Sequence, residues 1–129
     1  MGLSVGDRIE LRVTPDRYVT VRYAGASGDF NPIHIDEEFA TSVGLPGRIL
    51  HGLWSMAQVA RAATDAAGGD PGALRSLGVQ FRGMGRTEQE IVVSGEVKSL
   101  ADGVATAKLE AVQGDARLIR NAVAELRVN

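Results

Sequence analysis

Asp29, Asn31 and His34 place a carboxylate, an amide and an imidazole within six residues, in GDFNPIH (Gly28 to His34), around a proline and in a chain with only two histidines. A carboxylate and a neutral imidazole that converge on one point can share a water, one group orienting it while the other takes or returns its proton. Their spacing does not bring two side chains together reliably on a straight helix, but Asn31-Pro32 forces a bend that can. Asp-x-Asn-Pro is also ordinary Asx-turn material, so these residues admit a purely structural reading. The second histidine, His51, is expected to brace the loop through hydrogen bonds. His34, Asp36 and His51 match no standard spacing of metal ligands, and Asp36, ahead of Glu37-Glu38, is accounted for as a helix cap, so no metal is expected.

The elements that must position these groups follow from patterning. RIELRV, residues 8–13, alternates as a half-buried strand does. Thr14-Pro15-Asp16 offers a cap, a first-turn proline and an early acid, which predicts a helix from Pro15 to about Ala26 with Tyr18, Val21, Ala24 and Gly25 facing the core. A short helix follows from Asp36 and closes at Gly44. His51-Gly52 then opens LWSMAQVARAATDAA, Leu53 to Ala67, whose apolar residues cover more than one stripe and predict a helix enclosed on most sides. Gly68-Gly69 ends it, and Asp70-Pro71-Gly72 is turn material.

Strands are expected over Leu74–Arg82, Glu90–Leu100, Gly103–Gln113 and Ala116–Val128, joined by tight turns at Ala101 to Gly103 and Gln113 to Ala116. The whole, residues 1–129, reads as one α+β domain, an antiparallel sheet wrapped around a long central helix. Gly83-Met84-Gly85 is too short for a dinucleotide loop and reads as a turn or bend.

Composition narrows the classes. With 44% hydrophobic and 23% charged residues and a net charge of -2, the chain is an ordinary globular protein without the basic excess that nucleic-acid binding needs. The absence of cysteine excludes a disulfide framework, a thiolate zinc site and a thiol nucleophile. MGLSVGDRIELRV is not a secretory leader and no run is long and apolar enough for a membrane span, so a cytoplasmic protein is the expectation.

YAGASGDFNPIHID (Tyr23 to Asp36), followed by His51-Gly52 at the head of an apolar helix, resembles the MaoC-like (R)-specific enoyl-CoA hydratase/dehydratase family. The order of elements is similar to that family's single hot-dog domain over most of the chain. GGDPGAL, Gly68 to Leu74, resembles the catalytic subunits of (3R)-hydroxyacyl-ACP dehydratases. The resemblance implies that Asp29 and His34 are the acid–base pair acting on water, with Asn31 supporting the loop. It further implies that the Gly52 N–H polarises the thioester carbonyl at a helix N-terminus. The implied substrate is a 2-enoyl or (3R)-3-hydroxyacyl thioester carried on CoA or acyl carrier protein. The implied assembly is a homodimer, or a heterodimer with another hot-dog subunit, because a lone wrapped sheet leaves its edge strands unpaired.

Two departures stand beside that likeness. RGMGRTEQE, Arg82 to Glu90, lacks the proline and Gly-Asp pair common in the family, and Ala60 stands where short-chain relatives carry a serine, with Ser55 on another part of the helix. Arg48, Arg75, Arg82 and Arg86 are candidates for CoA phosphates or an acidic carrier, and equally ordinary surface arginines. Two rival readings are a hot-dog thioesterase, with Asp65 as the sole carboxylate on the central helix, and a non-catalytic or partner-dependent subunit of a heteromeric dehydratase.

Overall fold

The computed structural model describes residues 2–128. Strand β1 (Arg8–Val13) keeps Ile9 inward and its arginines and Glu10 outward, as its alternation predicts. The helix after it begins later than expected. Pro15 is buried and its carbonyl accepts the Glu88 N–H at 2.6 Å, which pins residues 14–16 as an anchor to the core instead of a first turn. Helix α1 therefore runs Val19–Ser27. Asp16, not Thr14, serves its start, with Oδ1 accepting the Tyr18 N–H at 2.8 Å and Oδ2 the Arg22 guanidinium at 2.7 Å. Those two hydrogen bonds, Arg22 first, hold the Asp16 carboxyl below its usual range. The later start also turns the helix: Val19, Thr20 and Ala24 face inward, while Tyr18 and Val21, expected in the core, are 60% and 51% exposed, and Gly25, also expected there, is exposed.

Gly28 ends α1 at φ 80°, and a single helical turn the sequence had not suggested, α2 (Pro32–Ile35), follows with Asn31 as its cap. Helix α3 (Glu37–Ser42) is capped by Asp36 as expected. The long helix α4 (Gly52–Ala66) buries a single stripe of Ser55, Val59, Ala62 and Ala63 against the sheet. Leu53 is 61% exposed, so the expected enclosure on most sides is not met within one chain: the sheet covers one face and leaves the other open. No helix among the described residues is long and apolar enough to cross a membrane.

The remaining strands are β2 (Leu74–Phe81), β3 (Ile91–Ala101), β4 (Val104–Gln113) and β5 (Ala116–Arg127). All pairings are antiparallel, in the order β1-β3-β4-β5-β2. The β3–β4 hairpin turns on Asp102-Gly103, both at positive φ, the conformation that matches the twist of the flanking strands. Strand β2 does not neighbour β3 as a run of hairpins would require. It lies on the far edge beside β5, so residues 82–90 cross the end of the sheet to reach β3. In β3, Gly95 lets β4 approach so closely that a Cβ there would collide with the Lys108 carbonyl. The core lies between the inner face, including Ile91, Val93, Val97, Ile119 and Leu126, and Val59 of α4. This is the expected α+β hot-dog architecture.

Candidate active site

The turn from α1 into α2 is held by its own side chains. Ser27 Oγ accepts the Asp29 N–H at 3.1 Å, Asp29 Oδ1 accepts the Asn31 N–H at 3.2 Å, and Asn31 Oδ1 accepts the Ile33 N–H at 3.2 Å. Asn31 thereby fixes the start of α2, which carries His34 inward to 8% exposure while Asp29 stays open to solvent.

Both imidazoles are oriented by carbonyls. His34 Nδ1 lies 2.8 Å from the Ile49 oxygen and His51 Nε2 lies 3.0 Å from the Asp29 carbonyl oxygen. A carbonyl only accepts, so these nitrogens carry the protons, which leaves His34 Nε2 and His51 Nδ1 with bare lone pairs in the neutral rings. The bare His34 Nε2 faces Asp29 Oδ2 at 3.8 Å. His51 stacks on His34 with centroids 3.9 Å apart at 21°, and Tyr23 packs on its ring at 4.7 Å. The His51 Nδ1 is buried and has no hydrogen-bond partner among the described residues.

The expected members Asp29, Asn31, His34, His51 and Gly52 therefore meet at one end of α4. Gly52 is the first residue of that helix, so its N–H is among those the helix leaves without an internal acceptor. The helix N-terminus, with its positive end, borders a cleft of ≈ 310 Å³ whose lining includes Tyr23, Asp29, His51, Gly52, Leu53 and Phe81 but neither Asn31 nor His34. Tyr23 and Phe81 were not expected there. Tyr23 lies inside the quoted motif. Phe81 ends the alternating β2 pattern, and only the far-edge placement of that strand brings it to the site.

Ligating atoms of Asp29, His34 and His51 lie within 4.8 Å of one another, with Asp36 turned away as the α3 cap. The stacked rings direct their lone pairs along nearly parallel planes, so one ion would stand out of plane to at least one of them. The set fits a metal poorly.

The arginines divide. Arg48 points its guanidinium at the Arg17 carbonyl at 3.2 Å, and its N–H is accepted by Glu37, so it ties the 45–50 loop to the start of α1. The backbone of Arg86 is gripped by Gln113, whereas Arg75 and Arg82 are exposed. Asp65 is exposed, pairs with Arg61 at 3.9 Å, and sits at the opposite end of α4 from the cleft.

A family model described as a MaoC-like domain matches residues 2–117. The fatty acid synthase beta subunit TOXC of Cochliobolus carbonum is 36% identical over 90 residues, covering 69% of this chain and 4% of that protein. The enoyl-CoA hydratase ChsH3 of Mycobacterium tuberculosis is 31% identical over 88 residues, covering 67% of this chain and 30% of that protein. This chain thus spans a small part of the length of either relative. Among solved structures, the ChsH1-ChsH2 complex of Mycobacterium tuberculosis aligns at a TM-score of 0.86 and 26% identity, covering 98% of both chains.

Proposed function

Because the chain belongs to the MaoC-like domain family, we propose that it hydrates 2-enoyl thioesters and dehydrates (3R)-3-hydroxyacyl thioesters, borne on CoA or acyl carrier protein. The 3.8 Å separation of Asp29 Oδ2 from the bare His34 Nε2 carries the reading. One water hydrogen-bonded to both, at about 2.8 Å each, spans that gap. Its oxygen adds to the β-carbon as its proton passes to the pair. Electron density moves to the thioester oxygen, against the Gly52 N–H, and the pair returns a proton to the α-carbon. Dehydration is the reverse. The (3R) outcome is proposed on the likeness of the Asp29 to His34 motif to the family's, and no metal, nicotinamide or flavin enters the scheme.

Asp29→Asn and His34→Ala test the assignment with crotonyl-CoA, following loss of enoyl absorbance and the stereochemistry of the product. Each variant is expected to lose about 10²–10⁴-fold in kcat with an unchanged circular dichroism spectrum. Near wild-type turnover in either would overturn it.

The open face of α4 favours an assembly in which a second hot-dog chain, identical or not, covers the cleft. A partner-dependent subunit is thus the second reading, and hydration that appears only on mixing with such a chain would support it. The thioesterase reading has no such support, since its carboxylate, Asp65, lies at the far end of α4.

A further inference from the structure

Phe81 is a cleft residue to which the scheme above gives no task, and it is the one set against Gly52. It alternates with Gln80, whose amide is bonded to Arg120 and Asn121, so the Phe81 ring lies on the opposite face of β2, against the head of α4. A Cβ added at Gly52 would lie 3.2 Å from two of its ring carbons. The ring thus touches the residue whose N–H is to hold the thioester oxygen. It is 51% exposed, so packing does not lock it.

Its backbone, by contrast, is fixed. Phe81 pairs with Ile119, the Arg82 N–H bonds to the Leu118 carbonyl, and a Cβ at Gly83 would meet the Arg117 oxygen at 2.7 Å. Gly85 packs on Leu50 and Leu118, and its carbonyl takes the Leu50 N–H. The freedom left at this wall is side-chain rotation.

An oxygen about 2.9 Å from the Gly52 nitrogen puts the carbonyl's two substituents, sulfur and α-carbon, within reach of the ring, and each further acyl carbon is farther from that oxygen than the α-carbon. Resting on the thioester reading above, we propose that Phe81 sets how much bulk the site admits at the α-carbon, selecting unbranched over 2-methyl-branched 2-enoyl thioesters.

Calorimetric binding of saturated, unreactive analogues tests this independently of turnover. Butyryl-CoA, 2-methylbutyryl-CoA and octanoyl-CoA are the probes, with wild type, Phe81→Ala and Phe81→Trp. Wild type is expected to favour butyryl over 2-methylbutyryl by about tenfold or more, the discrimination one methyl group gives in a close-fitting pocket. Phe81→Ala should bring that ratio towards one, Phe81→Trp should widen it, and the butyryl-to-octanoyl ratio should stay within about threefold throughout. Equal discrimination in wild type and Phe81→Ala would overturn the proposal, as would a shift in chain-length preference in place of branching preference. Failure of wild type to bind any of the three overturns the proposal for Phe81 and leaves the catalytic reading to the crotonyl-CoA assay. The expected ratios from a chain that alone hydrates no crotonyl-CoA would uphold the role of Phe81 and favour the partner-dependent reading over catalysis by one chain.

Discussion

At the scale of single residues, His51 holds the pair in register. Its ring lies under His34 and its Nε2–H supports the Asp29 carbonyl, so one side chain fixes both members without itself presenting a proton to the cleft. A buried nitrogen without a partner, its Nδ1, is costly, which argues that the position is held for orientation more than for stability. His51→Ala is expected to lower kcat by up to about 100-fold, the cost of misplacing reacting groups by about 1 Å. His51→Asn, whose amide can still donate to the Asp29 carbonyl, should recover part of that loss. Steady-state kinetics on both variants decides: equal activities would show that the hydrogen bond orients nothing. That Asp29, Asn31 and His34 share one turn was legible in the sequence, because the motif that holds them is local. The stacking of His51 on His34 and the arrival of Phe81 were not, because both depend on elements distant in the chain.

At the scale of elements, the legible parts were those whose signals are local: the β1 alternation, the Asp36 cap, the Asp102-Gly103 hairpin. The start of α1 was misread because Pro15 answers to the core through Glu88, which overrides a good local cap sequence. The crossover of residues 82–90 has no pattern of its own and is held from outside. Buried Gln113 accepts the Arg86 N–H at 2.7 Å and donates to the Arg86 and Gln89 carbonyls at 2.7 and 2.9 Å. This amide substitutes for a ladder the segment cannot form, and the segment in turn secures Leu50, next to His51. Gln113→Leu keeps the bulk and strands those backbone groups, and should cost about 1–3 kcal/mol in urea unfolding. A loss below about 0.5 kcal/mol would mean that the crossover holds itself.

At the scale of the molecule, the single chain leaves apolar surface and strand edges open among the described residues. Its accessible surface of 7185 Å² exceeds the roughly 6,600 Å² expected of a monomer of this mass. Part of the excess is apolar: Tyr18, Val21, Phe30, Leu53 and Phe81 are each more than half exposed. Strands β1 and β2 leave their outer edges unpaired among the described residues, and one face of α4 stands open beside the cleft. The fold class could be read from the order of patterned segments. What covers these surfaces could not, since an exposed stripe and an interface stripe are written in the same residues. The proposed second hot-dog chain is a single partner that could cover all three. Light scattering on the purified chain is expected to give twice the 13.6 kDa of one chain, with a Tm that rises with protein concentration because dissociation accompanies unfolding. A monomer with concentration-independent Tm that still hydrates crotonyl-CoA would show the cleft complete in one chain. A monomer without activity, restored by adding another hot-dog chain, would identify it as one half of a mixed pair.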